Sequence, residues 1–186
     1  MSRICLTIAD VTRTGGEERM CCLLANALAE QGHQVMILSQ NAYYWKKGLF
    51  QIDKRVLVKS MKHTLTEWFI CRFFPHIHYD KRKYRHLLKK RNTDIIIDVD
   101  TEMSLVSTRV AAGLDIKIVS WEHFCYQRFS SREISTSILD CIREKVDRLV
   151  VLTDADHRSF VEDGHIPEGK IGSPANFRVR LSKDLA

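Results

Sequence analysis

The chain has 186 residues, of which 45% are hydrophobic and 28% are charged, and its formal net charge is +6 at neutral pH. These values indicate one folded domain with its own core and argue against a disordered chain. No apolar run approaches the roughly eighteen residues of a membrane span, and the first such run ends at Asp10, so no signal-peptide core is recognisable. We therefore expect a cytoplasmic protein, soluble or peripheral.

The cysteines indicate the same compartment. None of the six forms a C-x-x-C pair, and three lie in or beside apolar segments. We interpret them as buried free thiols of a reducing compartment, and their spacing gives no support to a zinc site. They are Cys5, Cys21, Cys22, Cys71, Cys125 and Cys141.

A strand, a glycine-bearing turn, a helix and a second strand open the chain. Residues 4–9 form a nearly continuous apolar run, typical of a strand buried on both faces. Residues 17–31 predict a helix with two glutamates in its first turn, where the helix dipole favours anions, and Gly32 suits the position after its end. Residues 34–38 predict a second buried strand, which completes a βαβ unit. The apolar stripe of the helix, expected to face the core, is Met20, Leu23, Leu24, Ala27 and Leu28.

Strand and helix patterns then alternate along the chain. Each helix expected after the second strand has one apolar side and, at one end, a polar residue or a glycine that can cap it. Further strands are predicted at 56–58, 94–99, 116–121 and 148–152. Helices are predicted at 80–91 with Tyr84, Leu87 and Leu88 on one side, from Asp100 or Thr101 to Ala112 before Gly113, from Ser130 or Ser131 to about Lys145 with Ile134, Ile138, Cys141 or Ile142 and Val146 inside, and from 153–156 to Gly164.

This alternation predicts an α/β fold with a doubly wound, mostly parallel sheet of about six or seven strands and helices on both faces. We expect one Rossmann-like domain over residues 1–171, followed over 172–186 by an irregular tail or the start of a linker. Ligands of such sheets bind at the carboxyl ends of the strands, near the switch point. Three polar clusters, at 12–16, 98–102 and 121–124, are therefore expected to meet at that edge.

The turn at Gly15 and Gly16 is the first candidate site. Glycines let backbone approach a ligand, and the helix N-terminus that follows offers unpaired N–H groups to an anion. The turn lacks both the G-x-G-x-x-G spacing of dinucleotide sites and the Lys-Ser/Thr pair of a P-loop, which argues against ordinary sites of those two kinds. A tight turn with no ligand is the alternative.

The sequence around this turn carries a wider pattern that resembles a known family. Gly15-Gly16-Glu17, the Leu-Ala-Asn-Ala-Leu-Ala run at 24–29 and the Gly-His-Gln-Val turn at 32–35 together resemble the N-terminal signature of glycosyltransferase family 4. The order of elements over about residues 3–171 resembles the N-terminal domain of that family at the level of pattern. The resemblance implies the Rossmann-like half of a GT-B fold and a retaining enzyme that uses a nucleotide sugar. It leaves His33 a structural residue of the turn.

The resemblance also implies site residues. Gly15, Gly16 and the adjoining Thr14 would approach the donor diphosphate and the acceptor, and His123 would lie near the donor sugar. Glu122 beside it is a weaker catalytic candidate, with the role of a simple partner for a cation as the alternative. His123 has a structural alternative too, in which it only ties the following loop to backbone carbonyls.

Two aspartates lie at the end of the strand predicted at 94–99. Asp98 and Asp100 could form a carboxylate dyad, because residues two apart in a strand point to one face. The plainer interpretation is that Asp100 caps a helix and Asp98 is a satisfied strand-end residue. We keep Asp100 as a candidate for substrate binding.

The basic character is concentrated in one segment. From Arg72 to Arg91 there are eight lysines and arginines and one acid, Asp80. Aromatic residues precede these cations, a combination that resembles an interfacial contact with anionic lipid. A solvated cationic face is the alternative, and nucleic acid is a third interpretation that no recognition motif supports. The candidates for contact with membrane or acceptor are Trp68, Phe73, Lys81, Arg82, Lys83 and Arg85.

Family members carry a second domain with the nucleotide pocket, which has no counterpart in these residues. The hypothesis is therefore the N-terminal half of a retaining glycosyltransferase that moves a sugar to a glycan or lipid-linked acceptor in polysaccharide or glycoconjugate synthesis, inactive without its C-terminal domain. We expect no metal and no cofactor, since the nucleotide sugar is a substrate. The expected location is cytoplasmic, with the inner membrane face as a peripheral site. The alternative is a non-catalytic α/β module that binds an anionic ligand or a membrane surface.

Overall fold

The computed structural model describes residues 1–40, 48–61 and 79–172, and these form a parallel sheet with helices on both of its faces. The strands are β1 (Arg3–Ile8), β2 (Gln34–Ser39), β3 (Leu57–Ser60), β4 (Ile95–Asp98), β5 (Lys117–Trp121), β6 (Arg148–Val150) and β7 (Ile171–Gly172). The helices are α1 (Gly16–Glu30), α2 (Tyr79–Lys90), α3 (Ser104–Ala111), α4 (Tyr126–Ser130), α5 (Ser135–Lys145) and α6 (Asp154–Glu162), with 3₁₀ turns at Thr101–Met103 and Glu168–Lys170.

The order of strands places the switch point beside β1. The seven strands of the described sheet run β3-β2-β1-β4-β5-β6-β7, and every neighbouring pair is parallel. The chain winds one way from β1 to β3 and the other way from β4 to β7, so the turns after β1 and β4 diverge. The predicted fold class, a doubly wound parallel sheet, is confirmed.

The two faces of the sheet carry separate apolar clusters because strand side chains alternate. Ile4, Leu6 and Ile8 belong to the cluster that packs under α1. Cys5 points the other way, into the cluster of Tyr84, Leu88, Ile138 and other residues from α2 to α6. Tyr84 and Leu88 are buried as predicted for the helix at 80–91.

The inner face of α1 differs from the prediction. Met20 and Leu23 are 39% and 51% exposed, whereas the buried positions carry small side chains and one glutamate. Small residues let the helix lie close to β1 and β2, and the leucines flank this contact instead of filling it. Leu24 and Leu28 pack at its border. The buried set is Glu18, Cys21, Cys22, Ala25 and Ala29.

The helix predicted from Ser130 or Ser131 to Lys145 begins later, at Ser135, and the short helix α4, which was not predicted, precedes it. The chain turns between α4 and α5, where the backbone N–H of Ser135 donates to the carbonyl oxygen of Arg132. Ile134, expected inside, is exposed at the N-terminus of α5 because the turn directs it outward. Ile138, Cys141, Ile142 and Val146 are buried as predicted.

The thiol prediction holds for four cysteines: Cys5, Cys21, Cys22 and Cys141 are buried and free. Cys125 is exposed, which corrects the expectation for it, because it lies in the loop before α4 and outside the apolar pattern. Cys71 lies outside the described residues.

Part of the basic segment is described as α2. Arg82 is exposed and Lys81 and Lys83 are half-buried, while Trp68 and Phe73 lie outside the described residues. The guanidinium of Arg85 donates from Nη1 to two carbonyl oxygens at the end of α3, those of Val110 at 2.5 Å and Ala112 at 2.9 Å. Arg85 thus caps a neighbouring helix, a role its position in a charge run did not indicate.

No helix within the described ranges is long and apolar enough to cross a membrane.

Candidate functional site

Register aligns the carboxyl ends of the three central strands. Thr7 of β1 lies opposite Asp98 of β4, which in turn lies opposite Ser120 of β5. Adjacent strands are about 5 Å apart, so the loops that leave these ends are neighbours. The three predicted polar clusters therefore share one edge of the sheet.

Asp98 is a buried structural carboxylate. It accepts hydrogen bonds from the hydroxyls of Thr7 at 2.5 Å, Ser104 at 2.7 Å and Ser107 at 2.6 Å. Burial raises its pKa to about 6 against the opposing effect of these donors. Asp98 fixes the first turn of α3 to the ends of β1 and β4, which is the satisfied strand-end role.

Asp100 has different partners, so the two aspartates do not act as a dyad. Its carboxylate accepts from the backbone N–H of Glu102 at 3.0 Å and caps the 3₁₀ turn. The same carboxylate lies 3.7 Å from Nη1 of Arg132. The cap predicted from sequence is present, and the residue also faces the open edge.

Glu122 is buried and has three donors around it. The hydroxyl of Thr101 donates at 2.6 Å, the backbone N–H of Phe124 at 2.9 Å and Nη2 of Arg132 at 3.2 Å. Burial raises the pKa of Glu122, although these donors and the positive charge of Arg132 oppose the effect. Its observed contacts are those of a partner to a cation and an anchor for the β5–α4 loop.

Arg132 is the principal residue of this edge that the sequence analysis missed. Its guanidinium carbon lies 5.0 Å from the ring centre of Phe124 and 5.6 Å from that of Phe129. Its Nη1 is 3.7 Å from carboxylate oxygens of both Asp100 and Glu102. Among the described residues no hydrogen bond reaches Nη1, although this atom is buried. An excess of acids at the predicted edge was the one signal that a cation belongs there.

His123 follows β5 and lies against Trp121, with ring centres 4.3 Å apart. His123 Nε2 and Trp121 Nε1 are buried and have no hydrogen-bond partner in the part of the chain that the structure describes. Burial lowers the pKa of His123, which favours a neutral imidazole, and the charge of Asp100 opposes this. Buried polar atoms without partners are uncommon in native proteins, and a bound water, an ion or a catalytic role are among their explanations.

The diglycine turn lies at the same edge, at the start of α1. Gly15 is the N-cap with φ −87° and ψ 176°, so neither conformation nor cap chemistry demands a glycine there. A Cβ at Gly15 would collide with the carboxylate of Glu18, whereas one at Gly16 would meet nothing within 4 Å. Thr14, Gly15 and Gly16 are all exposed.

Electrostatics links α1 to the other two clusters. The pKa of Glu17 is raised to about 7, chiefly by burial and then by neighbouring carboxylates, with Asp100 first among them. Glu122 raises the same pKa and Arg132 lowers it. The first turn of α1 therefore faces the groups that follow β4 and β5.

A pocket of about 420 Å³ opens beside these groups, between the turn after β4 and the loop around α4. Within the described ranges no cluster of three or more His, Cys, Asp or Glu side chains has the geometry of a metal site. The pocket is lined by Asp100, Glu102, Phe124, Arg128, Ser131 and Arg132.

Comparison with known proteins identifies the family. Residues 14–172 match the model of Glycosyltransferase Family 4. The chain belongs to glycosyltransferase family 4. A curated relative, an uncharacterized glycosyltransferase of Haemophilus influenzae (strain ATCC 51907 / DSM 11121 / KW20 / Rd), is 29% identical over 184 residues, which are 99% of this chain and 49% of the relative. The chain thus spans about half the length of that relative and corresponds to the N-terminal domain of family 4 enzymes.

Solved structures share the fold at low identity. The apo form of the lipopolysaccharide outer core galactosyltransferase WaaB is 16% identical with a TM-score of 0.62, over 91% of this chain and 44% of that one. Anabaena Alr3699/HepE in complex with UDP and glucose is 12% identical with a TM-score of 0.64, over 93% and 44%. These similarities agree with the family 4 assignment and with half of a GT-B fold.

Proposed function

We propose that this chain is the acceptor-side domain of a retaining glycosyltransferase that moves a sugar from a nucleotide donor to a glycan or lipid-linked acceptor. The bond between the sugar and the diphosphate oxygen breaks, the sugar bonds to an acceptor hydroxyl oxygen, and the hydroxyl proton passes to the departing nucleoside diphosphate. Stabilisation of charge on the departing diphosphate supplies the main rate contribution. Polysaccharide or glycoconjugate synthesis is the proposed setting, at the cytoplasmic side of a membrane.

The observation that carries this proposal is a group of buried nitrogen atoms that make no hydrogen bond within the described residues, at the carboxyl edge of a family 4 fold. In the described part of the chain no partner is hydrogen-bonded to His123 Nε2, Trp121 Nε1 or Arg132 Nη1, and these atoms lie at the edge where α/β sheets bind ligands. A neutral imidazole suits contact with sugar hydroxyls, which both donate and accept. The similarity to Anabaena Alr3699/HepE, solved with UDP-glucose, supports a nucleotide sugar as donor.

The proposed roles follow the geometry of the edge. His123 contacts the transferred sugar, and Glu122 holds Arg132 and the loop in place without touching the reacting atoms. The N–H groups of Thr14, Gly15 and Gly16 approach the donor diphosphate, aided by the dipole of α1. Residues 1–171 form this domain, a second domain supplies the nucleotide pocket, and the 186-residue chain alone has no transferase activity and needs no cofactor.

Gly16→Val tests the diglycine role because its side chain would extend into open space and leave the fold intact. In the longest polypeptide that the gene encodes, release of nucleoside diphosphate from UDP- and GDP-hexoses is expected to fall at least about 100-fold, because the valine side chain would displace the diphosphate from the backbone N–H groups. The matched control is Gly169→Val, since a Cβ at Gly169 also meets nothing within 4 Å. Unchanged turnover in Gly16→Val, or no turnover by the unaltered protein with any donor and acceptor, would remove the proposal.

A second candidate is a non-catalytic module for an anionic surface, and the exposed cations of α2 favour its membrane part. Arg82, Lys89 and Lys90 are exposed along one helix. Each cation near an anionic membrane surface contributes about 1 kcal/mol. The triple change to glutamate is expected to abolish co-sedimentation with phosphatidylserine vesicles at low salt, whereas Lys145→Glu on α5 leaves it intact. Absence of binding by the unaltered chain at low salt excludes a membrane role for α2.

A further inference from the structure

The pocket beside the turn after β4 has the size and wall of a ligand site. Its volume of about 420 Å³ falls within the roughly 300–1,000 Å³ of small-molecule pockets. Phe124 remains 41% exposed in its wall, although Arg132 covers one face of the ring. An exposed aromatic ring held in place by a cation is a flat apolar surface that can pack against another flat ligand.

Among the described residues, Arg132 carries the polar atom of this pocket whose hydrogen bonding is incomplete. Nη1 of Arg132 is buried, lies 3.7 Å from Asp100 and from Glu102, and has no hydrogen bond from the described residues. These distances are too long for direct hydrogen bonds. A ligand hydroxyl that lies beside these contacts can accept from the guanidinium and donate to a carboxylate, which bridges the two groups without separating them. Vicinal hydroxyls of a sugar have this property.

Charge distinguishes a neutral ligand from an anionic one. The lining carries two carboxylates, Asp100 and Glu102, against two arginines, and Glu122 already takes a hydrogen bond from Arg132 behind them. A fourth acid, Glu17, faces the same groups from α1, and because its pKa is raised to about 7 it is partly ionised at neutral pH. The net charge of +6 is therefore not located at this edge. A phosphate or carboxylate ligand would meet these acids and be repelled.

We propose that the pocket formed by Asp100, Glu102, Phe124, Arg128, Ser131 and Arg132 is the subsite for a neutral sugar ring of the acceptor. The ring packs on Phe124, and its hydroxyls bridge Arg132 to Asp100 and Glu102. This inference rests on the proposed transferase function for its biological meaning, but binding to the pocket is measurable without donor or turnover. Phosphorylated and acidic sugars are excluded from the subsite.

Binding is tested by NMR on the 186-residue chain, isotope-labelled on the arginine side chains and on phenylalanine. The probes are methyl glycosides of glucose, galactose, mannose and N-acetylglucosamine at tens of millimolar, with inorganic phosphate and glucuronic acid as the anionic series. At least one neutral glycoside is expected to shift Arg132 Nε–H and the Phe124 ring with a millimolar dissociation constant, and the anions are expected to leave both unchanged. Shifts with the anions only, or with no member of the panel, would overturn the proposal.

Variants locate the effect. Phe124→Ala and Glu102→Gln are each expected to weaken glycoside binding at least about fivefold, and Arg132→Lys, which keeps the charge and loses the fork, should do the same. Val58→Ala is the control for Phe124→Ala, because Val58 is 40% exposed on β3, at the far edge of the sheet. Equal affinity in Phe124→Ala and Glu102→Gln, both verified as folded, contradicts the subsite. If the pocket binds a glycoside but the longest polypeptide has no transferase activity, the proposed function is wrong and the subsite is supported. If both variants keep full transferase activity, the subsite is wrong and the proposed function is supported.

Discussion

The Asp98→Asn substitution is expected to remove a pH-dependent loss of stability that this carboxyl imposes on the chain. Asp98 is fully buried, and burial raises its pKa from 3.8 to about 6 despite three hydroxyl donors. Asparagine has nearly the same shape and no charge. The hydroxyls can re-pair, because Ser104 already lies 2.8 Å from Ser120 and Ser107 lies 3.0 Å from Tyr84.

The sign and size follow from linkage between protonation and folding. Below pH 3.8 the carboxyl is protonated in both states, so its full contribution to folding is present. As pH rises towards the folded pKa of about 6, the unfolded state ionises first and stability is lost. The shift of about two pKa units corresponds to about 3 kcal/mol. The free energy of unfolding of the variant, relative to that of the parent, should therefore rise by about 3 kcal/mol from about pH 4 to about pH 7.

Urea unfolding, followed by tryptophan fluorescence and far-ultraviolet circular dichroism, measures both proteins across this range. The difference between them isolates Asp98, because other raised carboxyls such as Glu17 contribute equally to each. Asp115→Asn, at an exposed position, is the matched control and should track the parent at every pH. A gap between Asp98→Asn and the parent that stays constant with pH would refute the assignment of a raised pKa to this buried carboxyl.

Three further predictions concern packing and caps, each read from urea unfolding at neutral pH. Arg85→Gln should cost about 1–3 kcal/mol because the carbonyl oxygens that end α3 lose their donor, whereas Arg82→Gln should stay within about 0.5 kcal/mol; equal effects would contradict the cap. Ala25→Leu should lower the free energy of unfolding by about 1–3 kcal/mol by overpacking the contact of α1 with the sheet, and Leu23→Ala should change it little. A larger loss in Leu23→Ala than in Ala25→Leu would instead support the inner face predicted from sequence. Gly32→Ala should cost about 1–2 kcal/mol, because φ is +84° there, and a neutral result would show that the end of α1 relaxes.

The alternation of strands and helices was predictable because buried parallel strands read as continuous apolar runs between glycine and cap residues. The inner face of α1 was not, since hydrophobicity ranks Met20 and Leu23 above Cys21 and Ala25, while close packing on the sheet selects small side chains. Periodicity reports the spacing of apolar residues but not the room available to them.

The site was partly predictable for a related reason. Polar residues that end neighbouring parallel strands must share an edge, so His123 and the diglycine could be assigned to the same edge from pattern alone. Arg132 could not be assigned to this edge from pattern. Its carboxylate partners follow β4 and β5, and the turn between α4 and α5 that carries Arg132 towards them was not predicted. A side chain that follows a helix break carries no periodic signal.

The central claim, that this edge of the sheet carries out glycosyl transfer, is tested most directly by His123→Ala in the longest polypeptide that the gene encodes. Nucleoside diphosphate release from the preferred nucleotide sugar is the measurement, with His157→Ala, another half-buried histidine, as the control. The account predicts a fall of about 100-fold or more for His123→Ala with the fold retained and no change for the control. Turnover that is the same in both variants would contradict it.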